Sequence, residues 1–422
     1  MEKINILLIL KWLPYPLSDG GRQAIYNGIL AMKNIANIHI TYYEVREDQS
    51  SICAREQFSK NCEGVYLHPF FRRKKRIPAI SSYNILKALF SRIKYKFFTK
   101  DIDRIIDDLV VVNHYPTDFL DHINCLIAKY SIQVIQTEMM DVLPVILSLP
   151  DKPKKIFVHH ELAYVRNNLA FKDLDLNLSQ QIVCETAKVL EIGLINRYDA
   201  VITLSSTDAV KLRHAGVHIP IYTSFAIVSS ISKEQMEFVY QPVLSFVGPD
   251  SHTPNLIGIN WFLENCWELL LSKDSSYKLR IIGKWSTATQ KGIMERYKSV
   301  EFLGFVDDLS QAIEKTTMIV PITVGSGIRM KIQEAALNGV PFVSTTVGAE
   351  GLPFQDGINC YIEDDPIKFV EKILALKNDV LRNKFIYAAN DLIKSKYSLN
   401  ALRENRIHII EEVIGIVNER KE

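Results

Sequence analysis

Short apolar runs alternate with longer segments of helical periodicity along most of the chain. Each run has roughly four to eight residues, the length of a buried strand. The runs in the first half lie at 4–10, 38–45, 134–138, 155–160, 200–205 and 220–225. Those in the second half lie at 243–248, 278–283, 300–305, 318–323, 341–346 and 360–364. This alternation predicts parallel sheets that are covered by helices on both faces.

The order of these runs predicts two domains. A polar stretch over 228–241 separates the two series, and the strand–helix alternation restarts at 243–248. We therefore expect an α/β chain of two Rossmann-like, doubly wound parallel-sheet domains, the first over 1–230 and the second over 231–398. The length of 422 residues agrees with two or three domains of about 150 residues each. A long helical pattern closes the chain over 399–422.

The segment from Gly64 to Lys100 has a different character. It contains ten basic residues and no acidic one, and apolar side chains such as Phe90, Phe97 and Phe98 lie between them at helical spacing. This pattern predicts a basic amphipathic insertion in the first domain. Two interpretations remain open. The insertion binds an anionic membrane surface or a lipid-diphosphate acceptor, or it is a solvated basic helix.

Composition and charge narrow the class of protein. The net charge is only +2, so nucleic-acid binding is not expected. The six cysteines show neither C-x-x-C pairs nor zinc spacing, which predicts reduced core thiols in a cytoplasmic protein. The apolar run at 6–10 is too short for a signal peptide, and no stretch approaches the ~18 apolar residues of a membrane span. We expect a cytoplasmic location; the membrane-binding interpretation of 64–100 would add peripheral attachment to the inner face of the membrane.

Several metal and cofactor motifs are missing from the sequence. The chain has no G-x-x-x-x-G-K-[ST] phosphate loop, and no G-x-G-x-x-G fingerprint follows its first strand. The His-Glu pair at 160–161 lacks the second histidine of H-E-x-x-H. The Asp-x-Asp pairs at 101–103 and 173–175 do not follow an apolar strand. We therefore expect neither a cofactor nor a metal ion.

The stretch 318–351 carries the most specific candidate chemistry. A strand ends in the glycine-rich turn 325–327, and a helix is predicted to begin near Gly327. Such a turn leaves backbone N–H groups free, and a helix N-terminus favours an anion. Lys331 and Glu334 then share one helix face, where a lysine suits a phosphate and a carboxylate suits a sugar diol. The alternative is an exposed i,i+3 ion pair between these two side chains.

This stretch and several shorter ones resemble the family 4 glycosyltransferases, which have the glycosyltransferase-B (GT-B) fold. The matching segments are 246–255, 279–283, 300–309 and 325–352 in the second domain, and 19–21, 157–161 and 197–209 in the first. The resemblance implies two Rossmann-like domains that face a cleft, with the C-terminal helix packed back on the first domain. It also implies metal-independent, retaining transfer from a nucleotide-sugar, expected to be a UDP-sugar, to a hydroxyl acceptor. The expected acceptor is a glycan or lipid-linked molecule in polysaccharide, glycolipid or glycoconjugate synthesis.

The resemblance implies nucleotide-binding roles in the second domain. Glu334 matches the residue that holds the donor ribose. The backbone of Gly304, Phe305 and Val306 matches the loop that meets the nucleobase. The loop after the first strand of this domain ends at His252, a further candidate for donor binding, and it lacks the Arg and Lys that many family members carry there.

The resemblance also implies roles near the reacting bond. The backbone N–H groups of Gly325, Ser326 and Gly327 are expected to contact the sugar or the phosphate. Ser326 stands where the family usually has a Glu, which leaves the choice of donor sugar open. Arg329 and Lys331 are the expected catalytic cations, because they would neutralise the charge that develops on the leaving diphosphate.

Fewer positions match in the first domain. Gly20 and Gly21 match the family's glycine turn after the first strand, which meets the donor phosphates or the acceptor; the alternative is an ordinary strand–helix turn. His159 matches the family's active-site histidine, and its neighbour His160 is the alternative. Arg166 is expected either to reach an anionic group or to lie on a helix surface.

Two other classes of function share this fold. A nucleotide-sugar epimerase would need acidic residues beside the sugar, and the sequence shows no convincing set of them. A non-catalytic partner of a glycosyltransferase would explain why Ser326 replaces the usual Glu. The presence of His159, Lys331 and Glu334 argues against that interpretation.

Overall fold

The computed structural model describes residues 3–44, 47–71, 115–172, 174–228 and 238–415. Within these ranges the chain forms a seven-stranded sheet followed by a six-stranded sheet, and all their strand pairs are parallel. Helices connect the strands in both sheets. The expected α/β architecture of two doubly wound, parallel-sheet domains is confirmed.

The first sheet positions one half of the candidate site. Its strands are β1 (Ile4–Leu10), β2 (Ala36–Glu44), β3 (Val65–Phe71), β4 (Val134–Glu138), β5 (Lys154–His159), β6 (Ala200–Thr203) and β7 (Ile221–Thr223). Their order in the sheet is β3-β2-β1-β4-β5-β6-β7. The direction of winding therefore reverses between β1 and β4, and sheets of this kind bind ligands at the carboxyl ends of the strands beside such a reversal.

Four of the six α-helices described in the first domain begin at polar caps. The six are α1 (Gly20–Met32), α2 (Gln49–Asn61), α3 (Thr117–Lys129), α4 (Ala163–Phe171), α5 (Leu178–Ile195) and α6 (Ser206–His214), with a 3-10 helix over Met140–Ser148. The side chains of Asp19, Asn177 and Ser205 each accept a hydrogen bond from the backbone N–H three residues later. These caps satisfy N–H groups that have no partner inside the helix.

The second sheet repeats the plan. Its strands are β8 (Val243–Val247), β9 (Lys278–Ile282), β10 (Val300–Gly304), β11 (Thr317–Val320), β12 (Phe342–Ser344) and β13 (Tyr361–Ile362). Their order is β10-β9-β8-β11-β12-β13, so the winding reverses between β8 and β11. The glycine-rich turn predicted to bind a ligand follows β11, directly at that reversal.

Nine described helices follow in the second half of the chain. They are α7 (Thr253–Phe262), α8 (Glu268–Lys273), α9 (Thr287–Arg296), α10 (Leu309–Ile313), α11 (Met330–Leu337), α12 (Thr346–Ala349), α13 (Pro366–Ala375), α14 (Asp379–Lys396) and α15 (Leu399–Ile414). A single π-helical turn, Leu263–Trp267, joins α7 to α8.

The C-terminal helix α15 packs on α1 of the first domain. Ala31, Ile227 and Leu402 form a small buried cluster between them. The Asn27 side-chain amide donates to the carbonyl oxygen of Ile227 at 2.8 Å, and the Gln333 amide donates to that of Ala226 at 2.9 Å. The segment 226–227 is thus hydrogen-bonded to one helix of each domain, α1 and α11.

The structure departs from the sequence-based expectation in the basic segment. Residues 65–71 form the edge strand β3 beside β2, although the sequence analysis assigned them to an amphipathic insertion. The remainder of that segment, 72–100, lies outside the described residues, as do Asp101, Asp103 and Asp173. Among the helices that are described, none is long and apolar enough to cross a membrane.

The cysteines are all free, but only half of them are core residues. Cys62, Cys266 and Cys360 are buried, as expected. The expectation of core thiols is wrong for three others, because α2, α3 and α5 turn those side chains toward solvent or leave them half-buried: Cys53, Cys125 and Cys184.

Candidate functional site

The glycine turn of the first domain lies directly against the second domain. Gly20 and Gly21 are the first residues of α1, after the cap at Asp19. A Cβ atom on Gly20 would lie 2.8 Å from Cγ of Met330, and one on Gly21 would lie 2.8 Å from Cε of Met139. At Gly20 the close approach to the inner part of the Met330 side chain favours glycine, whereas at Gly21 the clash is with the flexible end of Met139.

The turn between β11 and α11 reaches back to the first domain. Gly325 and Gly327 have φ values of 120° and 73°, which favour glycine. A Cβ atom on Gly327 would lie 2.3 Å from the carbonyl oxygen of His160. The Ser326 hydroxyl accepts a hydrogen bond from the backbone N–H of Leu162 and donates to its carbonyl oxygen at 3.2 Å. Ser326 therefore joins the two domains.

Helix α11 begins later than expected. Its first residue is Met330 and its N-cap is Arg329, whereas the sequence pattern predicts a start near Gly327. The left-handed backbone of Gly327 is incompatible with a right-handed helix, so the turn extends to Arg329.

Arg329 is buried under the turn, and only some of its N–H donors have hydrogen-bond partners. Its Nη1 donates to the carbonyl oxygens of Ser326 and Gly327, the latter at 2.9 Å. Its Nε and Nη2 atoms are buried and have no hydrogen-bond partner among the described residues. Burial lowers the pKa of Arg329, and the carboxylates of Glu161 and Glu350 partly oppose this. Buried guanidinium donors without partners are costly, and an anion at the turn would satisfy them.

Lys331 lies at the same edge of the second sheet as Arg329. Its Nζ donates to Oδ1 of Asn255 at 2.9 Å and lies 4.5 Å from the ring centroid of Phe246. Burial, reinforced by repulsion from Arg329, lowers the pKa of Lys331 to about 7, while Glu334 opposes the shift. An ammonium group in this position gains a great deal from a nearby anion.

Glu334 faces the first domain. It is buried, and its Oε1 accepts a hydrogen bond from the side-chain amide of Gln23 on α1 at 2.9 Å. Burial raises the pKa of Glu334, whereas this hydrogen bond and the charge of Lys331 lower it. Lys331 and Glu334 thus bond to different residues, and the alternative of an exposed ion pair does not describe their geometry.

Asn255 and Gln23 were not identified from the sequence. Asn255 accepts from Lys331, and its amide donates to the carbonyl oxygen of Pro249 at 3.0 Å. Gly248 has φ 139°, and a Cβ atom there would lie 2.4 Å from the Asn255 amide. Asn255 therefore fixes both the loop after β8 and the ammonium group. The one indication that the sequence gives for Asn255 is its position in the first turn of helix α7.

The structure separates the two candidate histidines. His159 is buried inside the first domain, where its Nε2 lies 2.8 Å from Oε1 of Glu191. Glu191 also accepts from the backbone N–H groups of Ala163 and Tyr164 at 3.1 and 2.9 Å. His160 is the histidine that contacts the turn of the second domain, through its carbonyl oxygen at Gly327.

The His160 ring is held by a buried acid. Its Nε2 lies 2.7 Å from Oε2 of Glu138, the last residue of β4, and Gln136 donates to the other oxygen at 2.6 Å. Burial alone would raise the pKa of Glu138, but the hydrogen bonds from His160 and Gln136 and the charge of Arg406 lower it. Glu138 was not identified from the sequence, because His160 and Arg406, which act on it, come from other elements of the fold.

Three further polar side chains surround the turn. Glu161 follows His160, and its Oε2 lies 3.1 Å from Nη1 of Arg166 on α4. Its Oε1 lies 3.5 Å from the point that a Cβ atom of Gly325 would occupy. His252 precedes α7 and is exposed to solvent.

The predicted nucleobase loop lies at the edge of the second sheet. Gly304 ends β10 with φ 69°, and its carbonyl oxygen accepts from the N–H of Gly283 at 2.8 Å. The Phe305 side chain is 49% exposed, and Nζ of Lys284 lies 5.5 Å from its ring centroid. An exposed aromatic ring offers a stacking surface. Val306, the next residue, packs as a half-buried side chain against the core, and the described residues show no direct bond from this loop to Arg329 or Lys331.

The described residues contain no cluster of three or more His, Cys, Asp or Glu side chains that could hold a metal ion. The cationic groups at the candidate site are instead the side chains of Arg329 and Lys331, which lie beside the turn. The arrangement presents positive charge at the centre, with one carboxylate on each side: Glu334 and Glu161. It is suited to a ligand that has an anionic centre and hydroxyl groups on both sides.

The fold is that of the GT-B glycosyltransferases. TarM from S. aureus, as a mutant in complex with Fondaparinux, alpha-GlcNAc-glycerol and UDP, has 14% identity and a TM-score of 0.68, covering 96% of this chain and 99% of that chain. HepE from Anabaena, in complex with UDP and glucose, has 13% identity and a TM-score of 0.61, with the same coverage of 96% and 99%.

The sequence comparisons agree with this class. Residues 241–379, which include β8 to β13, match the family model described as Glycosyl transferases group 1. A protein of Klebsiella pneumoniae, described as an uncharacterized 44.6 kDa protein in the cps region, is 22% identical over 416 residues, which are 93% of this chain and 96% of that protein. Together, the fold and the family match support a glycosyltransferase.

Proposed function

We propose that this protein is a retaining, metal-independent glycosyltransferase of the family 4 type that transfers a sugar from a UDP-sugar to a hydroxyl group. The observation that carries the proposal is the convergence of Arg329 and Lys331 on one turn. Arg329 has buried donors without partners, and Lys331 has a pKa lowered to about 7. Both features are costly without an anion, and a nucleotide diphosphate supplies one.

The proposed mechanism follows from these contacts. Glu334 would accept hydrogen bonds from the ribose in place of the Gln23 amide. Arg329, Lys331 and the N–H groups of the turn would stabilise the negative charge that grows as the bond between the sugar and the diphosphate breaks. The acceptor oxygen would form the new bond on the same face of the sugar, and its proton would pass to the departing diphosphate oxygen. The His160 ring, anchored by Glu138, would orient the sugar.

The acceptor is proposed to be a glycan or lipid-linked molecule. The Klebsiella relative is described as lying in a cps region, and the TarM complex contains Fondaparinux and alpha-GlcNAc-glycerol. The ten basic residues of 64–100 would bring the enzyme to an anionic membrane surface at the cytoplasmic face, where lipid-linked acceptors are found.

The experiment is a donor screen with purified protein. UDP-glucose, UDP-galactose and UDP-N-acetylglucosamine are incubated with glycan and lipid-linked acceptors, and free UDP and glycosylated product are both measured. We expect one donor to give both products with retained anomeric configuration. Lys331→Met should lower turnover by about 100-fold or more, whereas Lys291→Met, at a side chain that is 74% exposed on α9, should leave it unchanged.

Each alternative gives a different result in this screen. An epimerase would change the sugar configuration without forming a product on the acceptor. A non-catalytic partner would bind UDP but release none from any donor. If the protein neither binds UDP nor turns over any UDP-sugar, the proposed function is wrong.

A further inference from the structure

The glycine-rich turn of the second domain has no acidic side chain of its own. Residues 321–329 read Pro-Ile-Thr-Val-Gly-Ser-Gly-Ile-Arg. The single hydroxyl at its centre, on Ser326, is bonded in both directions to the backbone of Leu162. Any acidic group that a ligand meets at this turn must therefore come from another part of the chain.

Glu161 is such a group, and it comes from the opposite domain. Its Oε1 lies 3.5 Å from the Cβ point of Gly325, and Nη2 of Arg329 lies 2.8 Å from that same point. No side chain fits at this point, because a Cβ atom there would collide with Nη2. A guanidinium donor without a partner and a carboxylate oxygen thus lie within 3.5 Å of one point at the turn.

The two oxygens of Glu161 have different surroundings. Oε2 is bonded to Arg166 at 3.1 Å, whereas Oε1 accepts no hydrogen bond from the described residues. Each of the other two carboxylates that act on Arg329 has a bonded oxygen: Glu350 binds Nζ of Lys211 at 2.6 Å, and Asp208 accepts from the Ser205 hydroxyl at 3.0 Å, while Oδ1 of Asp208 is buried without a partner among the described residues. Glu161 differs from both because its unbonded oxygen lies beside Gly325 of the turn.

A carboxylate selects against a phosphate and for hydroxyl groups. Phosphate oxygens would be repelled by Oε1, but sugar hydroxyls donate to an ionised carboxylate through short, strong hydrogen bonds. In a nucleotide-sugar the sugar is bonded directly to the phosphate. A phosphate beside Arg329 would thus place the sugar hydroxyls within reach of Glu161.

We propose that Glu161 supplies, from the first domain, the carboxylate that the glycine-rich turn lacks, and that it binds hydroxyl groups of the donor sugar. This inference rests on the proposed function. It makes Glu161 a residue that determines sugar specificity, and it makes sugar recognition dependent on contact between the domains. Free UDP has no sugar and should not use this contact.

The test compares UDP with UDP-sugar in Glu161→Gln, which keeps the shape of the side chain and removes its charge. Titration calorimetry should show UDP bound at least as tightly as by the wild type, because a negative charge near the diphosphate is lost. With the best UDP-sugar found for the wild type, kcat/KM should fall by about 10- to 100-fold, the usual loss for a hydrogen bond to a charged group.

Deoxy donors identify the contact directly. Removing the hydroxyl that Glu161 binds should weaken donor use by the wild type but should have little further effect in Glu161→Gln, because the two changes remove the same hydrogen bond. The matched control is Glu350→Gln, which removes another carboxylate that acts on Arg329 but is bonded to Lys211. It should change the affinities for UDP and UDP-sugar equally.

Two outcomes would overturn the inference. If Glu161→Gln weakens UDP and UDP-sugar by the same factor, Glu161 acts only through the charge of Arg329 or through folding. If the penalty for every deoxy donor is the same in variant and wild type, Glu161 does not touch the sugar. Failure of the proposed function is distinguishable, because the wild type itself would then bind no UDP and use no donor.

Discussion

Lys331 and Glu334 lie one helical turn apart but have different environments, and these environments predict different kinetic roles. Glu334 would hold the ribose equally in the ground state and in the transition state. Glu334→Gln should therefore weaken UDP binding by about 10-fold or more while changing kcat less. Lys331 would meet the negative charge that grows as the sugar–phosphate bond breaks, so Lys331→Met should lower kcat by about 100-fold or more.

Calorimetry with UDP and steady-state kinetics separate the role of Glu334 from that of Lys331. Near-wild-type binding and turnover in both variants would refute the assignment.

The lowered pKa of Lys331 predicts a pH dependence of ligand binding. Above pH about 7 the free protein holds Lys331 largely neutral, and a bound diphosphate would restore its charge. UDP binding at about pH 8 should therefore take up close to one proton, and affinity should fall as the pH rises further. Calorimetry in two buffers of different ionisation enthalpy measures this uptake. Lys331→Met should show none, and equal proton uptake in both proteins would exclude Lys331 as its source.

The lowered pKa also means that Lys331 destabilises the folded, ligand-free protein. Its folded pKa lies below the unfolded value of ~10.4, so between these two values the unfolded chain binds more protons and stability rises with pH. Below pH about 7 Lys331 is protonated in both the folded and the unfolded protein, so the full destabilisation remains. Lys331→Met should thus raise the Tm, by about 1–3 °C, most strongly below pH 7. A lower Tm in that range, measured by thermal unfolding without ligand, would contradict this.

Helix α15 is the element that links the end of the chain to the candidate site. Its Arg406 is buried, and the charge of Arg406 lowers the pKa of Glu138, which anchors His160. Arg406→Met keeps most of the volume but removes the charge, so the pKa of Glu138 should rise. The acidic limb of the pH profile of kcat/KM should then move to higher pH. Arg403→Met, on the same helix with its bond to Asn400, should leave the profile unchanged. An equal shift in both variants would exclude a specific action through Glu138.

At the scale of elements, the sequence predicted strands better than contacts. Apolar runs such as 4–10 and 243–248 became strands because burial of both faces of a parallel sheet leaves a direct signal in the sequence. The start of α11 was placed too early, because the sequence does not show that Gly327 is left-handed or that it lies against the His160 carbonyl of the other domain. Edge strand β3 was hidden by the basic residues that follow it.

The candidate site was predicted in part. Residues of the motif around 325–334 were identified, and the structure places Arg329, Lys331 and Glu334 around one turn. Glu138, Gln23 and Asn255 were not, because each acts through a partner that is remote along the chain: their partners are His160, Glu334 and Lys331. Periodicity carries no information about pairs that only the tertiary fold brings together.

For the whole molecule, side-chain cations in place of a metal ion predict resistance to chelation. Transfer should be unchanged in excess EDTA, because Arg329 and Lys331 would stabilise the leaving diphosphate. The measurement is product formation with EDTA and then with added manganese or magnesium. Complete loss of transfer that manganese restores would contradict a metal-independent mechanism.

The contact between the domains leads to the final prediction, which uses two glycines of α1. A Cβ atom on Gly20 would lie 2.8 Å from Cγ and 3.0 Å from Cβ of Met330 across the cleft, whereas one on Gly28 would meet nothing within 4 Å. Gly20→Ala should therefore hold the domains apart. Gly28→Ala should leave them in contact and stabilise the helix by about 0.5–1 kcal/mol.

These two variants separate domain contact from folding. For Gly20→Ala we expect a Tm close to that of the wild type and turnover reduced by about 10-fold or more, because groups of both domains must meet one donor. Gly28→Ala should keep the wild-type turnover. If Gly20→Ala also keeps it, the contact between Gly20 and Met330 yields to the added methyl group, and close approach at this point is not needed for transfer.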